Sequence, residues 1–523
     1  MDETSEPLTR RALNQETERL HEELTKLREK VEEVSGTQEV TRPEWPSETP
    51  EKTSVTREDF ERQMGRVWQD LADLALATNR LTHPAAPDEP RHRHTRRVSQ
   101  REEVYQIELN GPVRNRTITL QNRGADVVVN PRIVVNGRRD WFSTESILEE
   151  VLRPDMSDRE RAVAIWAFLR DNRIHGCPAH NDIEMHDPVR YLNVYGYGFC
   201  DDSATVFAVL ARQAGLKARV WSLNHHVVAE AYFDGDWHML DPDGEIYYLD
   251  DDGETISSVE TLEQRPDIIR KYPSPQCTDT DNLVRIYTTT DDNKVSTWYD
   301  RTSEAVHTMA YALRPGESLM RSWDNWGKYF SSRFLDEPER YGNGRFTFKP
   351  IFENGLFRKG ADCVRNIRVA QGGQKCRLAP ALRDRPGVLI YRFESPYPFL
   401  DGAVSLRGTL DGEAGLELAF SETGDEWRTV WSADGPGPVE AAVPTGGYFR
   451  NGYGRPMYAY NLRFSLSESE NAAVRLEELS VRSDVQVAPG SLPALEAGEN
   501  KVRYLDETPG QRDVEITFAY DHK

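Results

Sequence analysis

Cysteine is scarce in this chain: five in 523 residues, at Cys177, Cys200, Cys277, Cys363 and Cys376, with no CxxC spacing. An odd count without close pairs argues against both a disulfide framework and a structural zinc site, and leaves at least one thiol to be explained. No stretch approaches the ~20 apolar residues of a membrane span, so a membrane partner is not expected. Basic residues are outnumbered, 65 against 87 acidic, for a formal charge of −22. Polyanions are held by clustered Lys and Arg, so nucleic acid is excluded as a main partner. The one basic cluster, Arg91-His-Arg-His-Thr-Arg-Arg97, is short and reads as a solvated linker over 86–100. The first residues, Met1-Asp-Glu-Thr-Ser-Glu6, are acidic where a signal peptide is basic and then apolar. That pattern predicts a cytoplasmic protein, or a secreted one if a leader was removed. No repeat of fixed period is present.

What the chain does contain is enough for a folded protein. Its hydrophobic share is 38%, with 11 tryptophans, and its length leaves room for several domains. Leu13, Thr17, Leu20, Leu24, Leu27, Val31 and Val34 alternate steps of four and three, as do Phe60, Met64, Val67, Leu71, Leu74, Thr78 and Leu81. Two such seams predict a helical hairpin or coiled coil over 1–85, and through it a homo-oligomer, with packing on the protein's own body as the plainer outcome. Alternating residues over 101–142, closed by Asn136-Gly137, predict a small β-module. Ser157-x-x-Glu160 opens a helix and with it an α/β segment over 143–275. An aromatic-rich stretch, 276–375, follows. Short strands between Gly and Pro turns over 376–523 suggest a β-sandwich.

The chemistry lies in Tyr195-Gly-Tyr-Gly-Phe-Cys-Asp-Asp-Ser-Ala-Thr-Val-Phe207. Two glycines free the backbone before Cys200, and the residues after it are apolar at helical spacing until Gly215. Cys200 therefore stands at a helix N-terminus, where unpaired N–H groups and the helix dipole favour a thiolate nucleophile. His226 begins the strand 226–233, and the turn Asp234-Gly235 reverses it into 236–241. The antiparallel ends place Asp241 beside His226, so a nucleophile, a base and an orienting carboxylate meet. His225, one residue earlier, points to the opposite face unless the register slips by one.

Gly198-x-Cys200, His226-x-x-x-Glu230 and Trp237-x-x-x-Asp241-Pro242 resemble the transglutaminase-like superfamily, whose papain-like core is shared by tissue transglutaminases, bacterial cysteine proteases and peptide:N-glycanases. The resemblance covers about 145–255 and implies Cys200 as nucleophile, His226 as general base and acid, and Asp241 as orienting residue. One departure is Val228, where the family often has an aromatic; this implies an altered pocket wall. The whole chain then reads as multidomain α+β: helical heptads, small β-module, transglutaminase-like core and C-terminal β-sandwich.

The implied reaction is acyl transfer from an amide to water or to another amine, with no cofactor and no metal. The backbone N–H of Cys200 is the first oxyanion donor, with Trp166 and Asn193 as candidates for the second. Tyr197, His225, Glu230, Trp237, Trp323 and Trp326 are candidate supporting or substrate-binding residues, although Glu230 reads more simply as a structural partner of the sheet. His175, Cys177, His180 and His186 fit no common zinc spacing and read as loop packing or substrate contacts. Residues 181–260 hold 4 basic and 16 acidic side chains, which disfavours anionic polymers and favours a peptide, glycopeptide or neutral glycan substrate.

Phe393-Glu-Ser-Pro-Tyr-Pro-Phe399 with Ser421-Glu-Thr-Gly-Asp-Glu-Trp427 resembles, weakly, sandwich modules of carbohydrate-active bacterial proteins, in which exposed aromatics stack on sugars. Trp427, Trp431, Tyr448 and Tyr453 are placed for that role or for the sandwich core. Two alternatives to amide chemistry stand beside it: a glycan hydrolase or lyase gripping sugar with 298–330 and the sandwich, and a non-catalytic binding scaffold.

Overall fold

The computed structural model of the protein describes residues 89–523 apart from 177–182, 273, 276–278, 290–292, 303–305, 331–340, 373–374 and 450–455. The heptad seams of 1–85, with Cys177, His180, Cys277 and Tyr453, lie outside the described residues.

Two architectures are joined. The first is a four-stranded antiparallel sheet in the order Asp236–Leu240, His226–Phe233, Lys217–Leu223, Lys294–Val295. Its strands read as they should. The Asp234-Gly235 pair turns with positive φ at both residues, the geometry whose twist matches a two-residue hairpin. Asn224 and His225 make the preceding two-residue turn, since Leu223 pairs with His226. The helix Cys200–Gln213 covers one face of this sheet; Val206, Phe207, Leu210 and Ala211 are buried with Val227, Ala229, Ala231 and Phe233. The helix Asp158–Asn172 flanks it, opened by Ser157 and Glu160 in a reciprocal capping box. The opposite face carries a second core of Trp221, Val228, Met239, Tyr248, Leu262 and Ile268.

The second architecture is β-rich. A ten-stranded sheet runs His92–Val98, Val514–His522, Val113–Asn122, Glu317–Ser322, Gly342–Phe348, Ala473–Val487, Lys375–Pro380, Ile367–Gly372, with Phe399–Asp411 branching from Ala473–Val487 and Gly437–Pro444 pairing onto Phe399–Asp411. A five-stranded sheet built on Gly387–Glu394 and Ala459–Ser467 faces its far end, and Phe393, Phe399, Phe420, Phe449 and Tyr460 fill the space between as interlocking rings 4.9 to 6.0 Å apart.

Two sequence expectations change here. The basic cluster read as a linker is a strand: His92–Val98 pairs along its whole length, antiparallel, with residues Val514 to Tyr520, and Arg97 is salt-bridged to Asp513. The stretch 101–142 is not a freestanding module. Its strand Glu102–Leu109 pairs with Gly498–Leu505, and Val113–Asn122 with Val514–His522 and Glu317–Ser322. Long-range pairing leaves no local signature, because alternation marks a strand and not its partner.

The β-rich body also grips the segment before Cys200. Ala488 N–H donates to the Asn193 carbonyl at 2.8 Å, and Gln486 Nε2 to the Val194 carbonyl at 3.2 Å. Partly buried Glu184 accepts from the hydroxyls of both Tyr195 and Tyr458, at 2.5 and 2.8 Å. The loop that delivers the thiol is thus fixed from outside its own domain.

Candidate active site

Cys200 is the first residue of its helix, so its N–H has no carbonyl four residues back within the helix to bond. The approach is tight. A Cβ on Gly198 would fall 2.6 Å from Asp202 Oδ2, the oxygen that accepts from Phe199 N–H at 2.9 Å. Glycine there lets Asp202 cap the turn that presents the thiol.

His226 opens its strand and places Nε2 2.7 Å from Asp241 Oδ2; its ring also hydrogen-bonds Cys200. Burial disfavours the imidazolium, but the charge and hydrogen bond of Asp241, with Cys200, outweigh it and raise His226 well above its ordinary 6.5. Asp241 is 2% exposed. Its Oδ1 accepts from Gly244 N–H at 2.8 Å, and its carbonyl from Trp166 Nε1 at 2.9 Å and from Ile246 N–H at 3.0 Å. The His226 ring thus links the Cys200 thiol to the Asp241 carboxylate.

Residues 145–242 match the family model of the transglutaminase-like superfamily. This chain carries a transglutaminase-like domain. No curated protein matches it. Among solved structures, a family 29 carbohydrate-binding module is similar at 10% identity and a TM-score of 0.20, over 26% of this chain and 88% of the module. Another, complexed with cellulohexaose, gives 11% and 0.19 over 26% and 91%. The insecticidal crystal protein Cry2Aa gives 12% and 0.16 over 28% and 22%. Likenesses this distant carry no argument about ligand or activity.

A second carboxylate stands at the transglutaminase-like site. One ligating atom each of Cys200, His226 and Asp243 lies within 4.8 Å of the other two. Asp243 Oδ1 accepts from Arg173 Nη1 at 2.5 Å and is 2.9 Å from His175 Nδ1. Arg173 also donates to the Pro242 and Asp243 carbonyls, at 2.8 and 2.6 Å, and so clamps the turn. Burial works against the Asp243 charge, but the His175 hydrogen bond and the charges of Arg173, His175 and His226 hold its carboxyl below the usual range. On another side, Tyr299 hydrogen-bonds Ser222 and interacts with Asp201 and Cys200. Half-exposed Trp298 packs edge-on against Tyr299 and His186, at 4.9 and 5.8 Å. Asp243, Arg173 and Tyr299 escape a sequence reading, and Trp298 is reached only as the start of the aromatic stretch 298–330 in the carbohydrate alternative. Asp-Pro-Asp-Gly is readable as a turn, but nothing in it says that the second carboxylate faces the thiol.

The remaining sequence candidates part company with the site. Trp166 and Asn193 do not offer an oxyanion donor: the indole N–H is taken by Asp241, and Asn193 Nδ2 donates to the Trp141 and Val189 carbonyls at 2.8 and 2.9 Å. His225 is exposed in the turn with φ +59°. Glu230 is fully buried and accepts from Arg219 Nε, Trp221 Nε1 and Val259 N–H at 2.6, 2.6 and 2.8 Å, a structural role. Val228 belongs to the core behind the sheet and forms no pocket wall.

Trp237 pairs with Tyr232 near the far end of the His226 strand, roughly 20 Å away at about 3.3 Å per residue, and its ring lies under Arg219. Tyr197 is buried against Tyr341. Trp323 is partly buried against the main core, and Trp326, 4% exposed, lies under Arg345; both belong to the ten-stranded sheet's surroundings. Trp431 and Tyr448 pack on the sandwich core, and Trp427 lies under Arg463. His175 and His186 do not converge: the first meets Asp243, the second lies 3.7 Å from Asp202.

Proposed function

We propose that the protein is a cysteine-dependent acyl-transfer enzyme, cleaving or exchanging an amide in a peptide, glycopeptide or glycan-linked substrate. The observation that carries this reading is His226 placed between Cys200 and Asp241, with Nε2 2.7 Å from the carboxylate. The Cys200 thiolate attacks the amide carbon, and the negative oxygen is met by the Cys200 backbone N–H. His226 gives its proton to the nitrogen, the C–N bond breaks, and an amine leaves a thioester behind. Water, or a second amine, then loses a proton to His226 and attacks; the C–S bond breaks and the thiolate and imidazolium return. Asp241 keeps the ring oriented and balances its charge throughout.

Net charge of −12 over 181–260 supports a neutral or cationic substrate. Trp298 and Tyr299 support a side chain or sugar resting against a ring beside the thiol. The aromatics of 323–330 are largely buried, so they lend no support to a sugar grip there. The deciding experiment offers peptides, glycopeptides and neutral polysaccharides to the protein and to Cys200→Ala. New amines formed by the parent and not by the variant support the proposal. New reducing or unsaturated sugar ends that depend on Cys200 transfer the assignment to carbohydrate chemistry, and activity unchanged in Cys200→Ala removes the nucleophile.

A further inference from the structure

We propose that the site is also a zinc-binding site, in which Zn²⁺ is held by Cys200 Sγ, the His226 ring nitrogen that faces it, and an Asp243 carboxylate oxygen, blocking the nucleophile reversibly. The binding claim rests on side-chain placement alone; that zinc silences the enzyme rests on the cysteine-nucleophile reading above.

A cysteine and a histidine supply only two ligands. Here a third is already in place, since one ligating atom from each of the three residues lies within 4.8 Å of the others. Thiolate, imidazole and carboxylate together suit Zn²⁺ and not Mg²⁺ or Ca²⁺, which prefer oxygen alone. Three protein ligands leave the fourth position of a tetrahedral zinc to water, as in open zinc sites and unlike closed structural ones.

The outer layer favours the same ion. Asp241 on His226 Nε2 makes the carboxylate–histidine pair that orients a metal-binding imidazole and raises its basicity. Asp243 is tethered by Arg173 and His175, both acting on Oδ1, which leaves Oδ2 for a further ligand. Its side chain is 6% exposed, so little ordering remains to be done when the metal arrives. The net charge of −12 over 181–260 raises the local concentration of cations.

The proton balance is simple. The thiolate–imidazolium pair, like the thiol–imidazole pair, holds one proton, and Zn²⁺ binding releases it to solvent. Binding therefore strengthens as pH rises, by up to about tenfold per pH unit while that proton is still held.

The test uses the full chain and zinc itself. In competition with a chromophoric chelator, the parent should take up a zinc ion that Cys200→Ala does not, and Asp243→Asn should bind it about 10- to 100-fold more weakly. Because Asp243→Asn can disturb the Arg173 clamp, a second measurement uses the parent protein alone. Iodoacetamide labelling of Cys200, mapped by peptide mass, should fall with zinc and recover with EDTA, while labelling of Cys363 and Cys376 stays constant. Undiminished labelling of Cys200, zinc retained by Cys200→Ala, or equal affinity in Asp243→Asn overturns the proposal. If zinc binds as described but amide cleavage survives in Cys200→Ala, the site stands and the enzymatic reading falls; Cys200-dependent cleavage without zinc uptake gives the reverse.

Discussion

Gly244 N–H donates to Asp241 Oδ1 at 2.8 Å, and a Cβ on Gly244 would stand 2.4 Å from Asp241 Oδ2, the oxygen that holds His226. The residue that holds the Asp241 carboxylate is thus allowed no side chain. Gly244→Ala is expected to push the carboxylate off Nε2 and to lower kcat/KM about 10²-fold or more, by misorienting the base without touching the nucleophile. The check is kcat/KM on whichever amide the substrate panel yields, together with a thermal melt showing a folded variant. Full activity in Gly244→Ala contradicts the role given to Asp241.

The raised affinity of His226 for its proton makes the pair a contributor to stability with a definite pH window. The folded state holds the proton more tightly than the unfolded one, whose ordinary value is 6.5. The contribution is therefore fully present below pH 6.5 and is lost as pH rises through the higher folded value. Unfolding of the parent and of His226→Gln by urea, compared at several pH values, should differ most on the acid side and converge on the alkaline side. A gap that widens with pH would show that the imidazole is held neutral.

His307 has the opposite sign. Burial, and then the positive charge of Arg190, lower it to about 4, against a hydrogen bond to the Pro396 carbonyl that favours its proton. Its backbone N–H also donates to Asp187 Oδ2 at 2.9 Å, so this histidine joins the transglutaminase-like domain to the β-rich body. Between pH 6.5 and about 4 the unfolded chain takes up a proton that the folded chain refuses. Stability should fall across that window by on the order of 3 kcal/mol. His307→Gln, which keeps a donor for Pro396, should flatten that part of the acid limb in pH-dependent unfolding; an unchanged slope would assign the loss to other groups.

How far the sequence could be read depends on the range of the interactions involved. The approach of Cys200, His226 and Asp241 to one another is legible because a helix start, a two-residue hairpin and a strand end fix them relative to one another within 42 residues, and each of those has a local signal. Asp243 sits in the same stretch and was still missed, because its orientation depends on Arg173, which comes 70 residues earlier from the end of another helix. Trp298 and Tyr299 come from a stretch whose aromatic content is legible, but nothing in its pattern places these two rings beside the Cys200 helix and the others in the β-rich body. The β-body was misdivided for a related reason: Val113–Asn122 bonds to strands some 200 and 400 residues away, and an alternating pattern cannot name its partner.

Glu230 shows the converse, a motif residue whose work is structural. It is fully buried among Arg219, Trp221 and Val259 N–H. Glu230→Ala would leave a largely buried guanidinium and two buried N–H groups without their acceptor, and is expected to cost about 3–5 kcal/mol. Urea unfolding measures this directly. A loss below about 1 kcal/mol would mean that water or another carboxylate replaces it.

Trp298 provides the test of where substrate lies. Its ring is 49% exposed, yet it is braced edge-on by buried His186 and by Tyr299, whose phenol interacts with Cys200. A half-exposed indole braced in this way, one ring removed from Cys200, offers a flat contact for an aliphatic stem, a sugar face or a cation, none of which needs to change between bound substrate and transition state. Trp298→Ala should therefore raise KM about tenfold, the equivalent of ~1.4 kcal/mol, and leave kcat nearly unchanged. Steady-state kinetics on the parent and variant separate the cases. A fall in kcat at constant KM would place the ring's influence on the reacting atoms, acting through Tyr299 and Cys200, and would remove Trp298 from the substrate's path.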